Sequence, residues 1–214
     1  MKWLLLIQFF LLALPGFTAE AQEQPGASGA TKSPQTVLFI GDSLSAGFGV
    51  LPAQAFPELI ARKLKSLGRE TKVVNASISG SVSADADRRL EWHLKHRHVD
   101  VLVLELGAND ALKGTAVAVI RKNLKAVVVL AKKSKLKVLL LGMKIFTNLG
   151  DDYGREFERM YQEIAHEEKV SLMPFFMEAV ALKPNLMQAD QKHPNAEGHQ
   201  ILAEKVQVFL ERLL

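Results

Sequence analysis

Five short runs of apolar and β-branched residues, each followed by a turn and then an amphipathic stretch, constrain the fold of this chain more than any other feature. They are Val37 to Gly41, Lys72 to Asn75, Asp100 to Leu106, Leu136 to Gly142 and a weaker Val170 to Met173. Four of them are nearly unbroken, as strands covered on both faces require. Between them lie helix-length stretches, predicted near Pro52 to Leu67, Ser83 to Lys95, Thr115 to Lys133 and Gly154 to Glu168. In the third, Val117, Ile120, Leu124, Val127 and Ala131 fall on one face, and Lys132 and Lys133 sit at the end where the helix dipole favours cations. A last helix opens near Pro194 or Asn195 and turns Ile201, Leu202, Val206, Phe209 and Leu213 inward. Strands and helices alternating in this way predict an α/β fold on a parallel sheet.

The chain is 214 residues long with 48% apolar residues, enough for one domain with a sizeable core. Its net charge of +4 is spread through mixed-sign helices, which argues against a nucleic-acid partner. The first 21 residues read as a signal peptide: Lys2 supplies the positive start, Leu4 to Leu14 the apolar stretch, and Ala19-Glu20-Ala21 a cleavage site after Ala21. An uncleaved anchor is the alternative, but the apolar stretch is shorter than the ~20 residues of a spanning helix and meets Pro15 and Gly16. Residues 22–35, rich in Gln, Pro, Gly, Ala and Ser, are expected to be a flexible linker, and residues 36–214 the folded domain. The expectation is a periplasmic or secreted monomer with no stable membrane insertion after cleavage. It has no cysteine, so core burial alone holds it in an oxidising compartment.

Four islands carry the chemistry. Gly41-Asp42-Ser43-Leu44 follows the first strand, Asn75-Ala76-Ser77-Ile78-Ser79-Gly80 the second, and Gly107-Ala108-Asn109-Asp110 the third, while Asp190-Gln191-Lys192-His193-Pro194 precedes the last helix. In an open parallel sheet of order 2-1-3-4-5, the ends of the first three strands are neighbours where the order reverses, so these islands would converge there. A serine hydroxyl is a poor nucleophile until a base takes its proton. Ser43 therefore needs His193, and Asp190 can hold the imidazole in the right tautomer. Charge developing on a carbonyl oxygen needs fixed donors, for which the candidates are the backbone N–H groups of Ser43 and Gly80 and the side-chain amide of Asn109. Asp42 reads as a structural carboxylate that binds loop N–H groups.

These blocks resemble those of the SGNH, or GDSL, hydrolases, and Gly41-Asp42-Ser43-Leu44-Ser45-Ala46-Gly47 and Met173-Pro174-Phe175-Phe176-Met177-Glu178 resemble the bacterial periplasmic thioesterase, lysophospholipase and arylesterase subgroup. The resemblance runs from Val37 to the terminal helix. It implies a three-layer flavodoxin-like α/β/α fold, with Ser43 as nucleophile, His193 as base, Asp190 as its partner, Gly80 and Asn109 as oxyanion donors, and no metal or organic cofactor. It also implies a mobile loop over the acyl chain at Ala111 through Thr115, for which Gly114 could supply the hinge. Two departures stand out. After Gly80 this chain has Ser81-Val82-Ser83 where relatives more often carry Asp-Thr-Thr, and Lys192 precedes His193 where an apolar residue is usual.

The predicted activity is hydrolysis of aryl esters, acyl thioesters such as acyl-CoA, and lysophospholipids through an acyl-enzyme on Ser43. A carbohydrate O-acetyl esterase and a non-catalytic flavodoxin-like binding module are the competing readings. Candidate walls for the acyl pocket are Ile78, Leu112, Ile145, Phe146, Leu149, Tyr153, Leu186 and Met187, from loops on the catalytic edge. His93, His96, His98 and Asp100 have a spacing that suggests zinc, but they read as solvated groups at a helix end.

Overall fold

The computed structural model describes residues 34–145 and 150–214. The stretch expected to be a signal peptide, nearly all of the expected linker, Phe146 and Leu149 lie outside the described residues. The strands are β1 (Gln35–Gly41), β2 (Thr71–Asn75), β3 (Val101–Glu105), β4 (Lys137–Leu141) and β5 (Ser171–Met173). All pair in parallel, in the order β2-β1-β3-β4-β5. β1 starts at Gln35, one residue inside the stretch expected to be linker, because Gln35 pairs with Thr71 at the start of β2.

The helices are α1 (Ser43–Ala46), α2 (Phe56–Ser66), α3 (Ala86–His96), α4 (Ala108–Leu112), α5 (Val117–Lys133), α6 (Asp151–Glu168) and α7 (Ala196–Glu211). α2 packs against α7, while α5 packs against both α3 and α6, which gives a layer on each side of the sheet. The apolar runs of β1 and β3 are fully buried between these layers, as are Ile120, Leu124 and Val127 of α5. Burial of this kind contributes about 25 cal/mol per Å² of apolar surface.

Three helix boundaries differ from expectation for local reasons. The helix expected from Pro52 is broken at Ala55, whose ψ of 139° is extended. In a continuous helix the Pro57 ring would collide with the Ala53 carbonyl, so α2 starts afresh at Phe56 with Pro57 in its first turn. The helix expected from Ser83 begins as a 3-10 turn over Ser83–Asp85. α6 starts at Asp151 rather than Gly154, and Asp151 and Asp152 place negative charge at its positive end.

Candidate active site

Gly41 at the end of β1 lies level with Glu105 at the end of β3. A Cβ on Gly41 would come within 2.8 Å of both Ser45 and Glu105 side chains, so only glycine fits. The chain then turns directly into α1, whose first residue is Ser43. Asp42 caps this turn by accepting from the Leu44 N–H at 3.0 Å. The structure thus gives Asp42 the structural role read from the sequence.

The Ser43 hydroxyl lies 2.9 Å from His193 Nε2, and His193 Nδ1 lies 2.6 Å from Asp190 Oδ2. Asp190 Oδ1 also accepts from the backbone N–H groups of Lys192 and His193, at 2.9 and 3.1 Å, which closes the turn between them. These bonds, the one from His193 foremost, hold the Asp190 carboxyl down at about 2. It remains an acceptor for the imidazole at any higher pH. Gln188 anchors the same turn by donating to the carbonyls of Phe48 (2.7 Å) and Pro194 (2.9 Å), and the Phe48 ring lies 4.7 Å from the His193 ring. An imidazole held this way is placed to take a proton from Ser43.

Among the described residues, the backbone N–H groups of Ser43 and Gly80 donate to no protein acceptor, and both residues line the same cleft. Gly80 has φ +80°, and a Cβ there would meet no atom within 4 Å, so the missing side chain leaves the cleft open. Asn109, in the first turn of α4, donates to the Ser81 carbonyl at 3.0 Å and to Asp42 at 3.3 Å. Both of its amide hydrogens therefore already face protein acceptors, the second through a long bond. Asp110 holds Ser83 through its N–H and hydroxyl at 2.8 and 2.7 Å, which fixes the turn after Gly80.

Two supporting groups carried no motif in the sequence. Glu105 is fully buried and accepts from the Asp42 N–H at 3.1 Å and the Ser45 hydroxyl at 2.8 Å. Burial, then the charge of Asp42, pushes the Glu105 carboxyl well up, while burial raises Asp42 to about 6. Arg89, half-buried on α3, donates to the Ala76 carbonyl (2.6 Å), the Ser81 hydroxyl (3.0 Å) and the Gly41 carbonyl (3.4 Å), and so ties the first two islands together. The apolar pattern of α3 marks Ala86, Leu90 and Leu94 as inward residues. Nothing in the local sequence distinguishes Arg89 from Arg88.

A carboxyl raised in the folded state stabilises most below its unfolded value of ~3.9 to 4.3, and that contribution is lost as pH rises toward the folded value. For Asp42 the loss runs up to about pH 6, and the raised Glu105 adds a loss of the same sign. Glu105→Gln keeps an acceptor for both bonds and removes the ionisable group. We expect its melting temperature to exceed wild type by about 2–4 °C more at pH 8 than at pH 5, the equivalent of about 1 kcal/mol. Parallel melting curves across that range would contradict a buried proton here.

The cleft beside Ser43 has a volume of about 530 Å³. Leu112, Ile145 and Met187 line it as expected, and it is completed by Met143, Phe175, Met177 and Leu182, which were not among the candidate walls. These follow the carboxyl ends of β4 and β5, where the sheet opens onto the same edge. Ile78 instead lines a separate groove beyond Gly80. Leu186 is buried in the core, and Tyr153 packs against it while its hydroxyl donates to the Thr115 carbonyl at 2.5 Å. Ala111 and Leu112 end the short helix α4 rather than belonging to a loop, and Gly114 leaves it with φ +70°.

His199 holds a different place from His193. It is buried, accepts from the Phe56 N–H at 3.3 Å at the start of α2, and burial lowers it to about 4. It is therefore a neutral structural imidazole. His96 and His98 are engaged with the Trp92 carbonyl and Asp100.

A family model described as GDSL-like lipase/acylhydrolase matches residues 39–201, spanning all four islands. The chain belongs to this family. It is a GDSL hydrolase and an esterase by its relatives. It is 40% identical over 180 residues to the esterase TesA of Pseudomonas aeruginosa, covering 84% of this chain and 90% of that protein. It is 37% identical over 179 residues to thioesterase 1/protease 1/lysophospholipase L1 of Escherichia coli, covering 84% of this chain and 85% of that one. A crystal structure of TesA superimposes with a TM-score of 0.81 at 40% identity, over 84% of this chain and all of the other. The GDSL fold of that structure is the three-layer α/β/α arrangement found here. Among the described residues, no helix of this GDSL hydrolase is long and apolar enough to cross a membrane.

Proposed function

We propose that this GDSL hydrolase is an exported, monomeric serine esterase that cleaves acyl esters and thioesters through an acyl-enzyme on Ser43. The observation that carries the reading is the hydrogen-bonded series from Ser43 through His193 to Asp190 at the mouth of an apolar cleft. His193 Nε2 takes the hydroxyl proton as Ser43 Oγ attacks the substrate carbonyl, while Asp190 steadies the imidazolium. The oxyanion is received by the Ser43 and Gly80 N–H groups and by Asn109, which gives up its long bond to Asp42 as charge develops. Collapse expels the alcohol or thiol with the proton from His193, and water then repeats the sequence to free the acid. No step needs a metal or organic cofactor. The positive, apolar and small-residue pattern of the first 21 residues supports export.

The apolar wall supports acyl chains longer than acetyl. The name of the Escherichia coli relative includes thioesterase and lysophospholipase, which supports acyl-CoA and lysophospholipids as substrates beside aryl esters. Each methylene transferred from water contributes about 0.8 kcal/mol. In an aryl-ester series from acetyl to palmitoyl, kcat/KM should therefore rise about two- to fourfold per added methylene until the cleft is filled, then level off. A maximum at acetyl would instead favour a carbohydrate O-acetyl esterase.

A further inference from the structure

In the function proposed above, the oxyanion is received by donors on three islands far apart in the chain: the N–H groups of Ser43 and Gly80 and the amide of Asn109. The second island holds its donor poorly by itself. Gly80 is the third residue of a turn closed by the Ser81 N–H on the Ile78 carbonyl at 3.1 Å, and its φ of +80° suits that place in a type II turn. A turn closed by one such bond leaves the direction of the Gly80 N–H to whatever fixes its two ends.

Arg89 fixes both. Its guanidinium donates to the Ala76 carbonyl before the turn at 2.6 Å and to the Ser81 hydroxyl after it at 3.0 Å. The same group reaches the Gly41 carbonyl at 3.4 Å, two residues before Ser43, where the Ile78 N–H also donates at 3.1 Å. Ser81 passes the restraint to the third island, since its carbonyl accepts from the Asn109 amide at 3.0 Å. A planar guanidinium holds several acceptors at once in a fixed geometry, which a lysine ammonium on its flexible stem does not. Burial disfavours the Arg89 charge, and Asp85, Asp42 and Glu105 offset that cost from within the protein. The side chain is thus set to brace backbone rather than to bind an anion.

We propose that Arg89 is a positioning residue for the oxyanion donors: its bonds to Ala76, Ser81 and Gly41 set the Gly80 N–H, and through Ser81 the Asn109 amide, against Ser43. The inference rests on the esterase reading and adds no bond-breaking step. A tetrahedral oxyanion forms in both acylation and deacylation, so loss of the brace lowers kcat whichever of the two steps limits the rate.

The test measures kcat and KM for para-nitrophenyl octanoate, with inhibition by octylboronic acid and by octan-1-ol, in wild type, Arg89→Ala, Arg89→Lys, Ser81→Ala and Arg88→Ala, all well below their melting temperatures. The boronic acid adds to Ser43 as a tetrahedral adduct whose oxygen meets the oxyanion donors, whereas octanol fills the acyl cleft without one. Arg89→Ala should lower kcat about 10²-fold, the loss expected from a misplacement of about 1 Å, and weaken the boronic acid by a similar factor. KM and octanol inhibition should stay within about threefold, which a general loosening of the site would not allow. Arg89→Lys should fall between Arg89→Ala and wild type, because it keeps the charge and reaches fewer acceptors. Ser81→Ala, which removes one of the three bonds, should lower kcat about three- to tenfold. Arg88→Ala should match wild type, since Arg88 is exposed and pairs with Asp85. A kcat for Arg89→Ala within about threefold of wild type, an unchanged boronic acid constant or a loss confined to KM overturns the brace and leaves the esterase reading in place. If Arg89→Ala does not fold, Ser81→Ala decides: a kcat and a boronic acid constant both within about twofold of wild type overturn the brace. A wild-type protein that hydrolyses no ester at any acyl length overturns the esterase reading and the brace with it.

Discussion

Ser43→Ala is expected to abolish ester hydrolysis while leaving the melting temperature within a few degrees of wild type. The substitution removes the attacking oxygen and one hydrogen bond to His193, yet Ser43 opens α1 without capping it, since Asp42 supplies the cap. Loss of the nucleophile from a triad leaves only the contribution of binding and oxyanion donors, so the fall in kcat should exceed about 10⁴-fold. Turnover within tenfold of wild type, measured on an aryl ester at the preferred chain length, would remove Ser43 from the reaction.

Asn109→Ala should lower kcat by about 10²–10³ with a smaller change in KM, because the oxyanion exists chiefly in the transition state. The structure adds a condition. Asn109 is held between the Ser81 carbonyl and Asp42, so its amide has to trade a 3.3 Å bond for the substrate oxygen. A more firmly ionised Asp42 would compete for that hydrogen, and burial, which raises its carboxyl to about 6, disfavours that charge. Asn109→Asp should therefore be no better than Asn109→Ala despite being closer in shape, since it replaces a donor with a charge that repels the oxyanion. A change confined to KM would make Asn109 a binding residue instead.

Much of this was legible in the sequence, and the reasons are specific. β1 and β3 are buried on both faces, so Val37 to Ile40 and Val101 to Leu104 appear as unbroken apolar runs. Ser43, Gly80 and Asn109 follow strand ends that the order β2-β1-β3 makes neighbours, so reading the topology was enough to gather them. Asp190 and His193 are three residues apart, within reach of each other through a single turn. What stayed hidden depends on contacts distant in the chain. Glu105 reads as the end of a strand, and its buried carboxyl acquires meaning only when Gly41 lies beside it. Arg89 acts through carbonyls 13 and 48 residues away, which no local pattern records. The acyl wall was half legible: loops at the correct edge were recognised, but Ile78, Tyr153 and Leu186 face elsewhere, because the direction of a loop side chain is set by packing rather than by periodicity.

The most direct test of the account is to treat the protein with a fluorophosphonate, digest it and locate the adduct by mass spectrometry. A serine activated by His193 and facing oxyanion donors should attack phosphorus as it attacks a carbonyl. The predicted result is one stoichiometric adduct on the peptide containing Ser43, absent from Ser43→Ala and strongly slowed in His193→Ala. An unlabelled wild-type protein, or an adduct on Ser79 or Ser81 with Ser43 free, would contradict it.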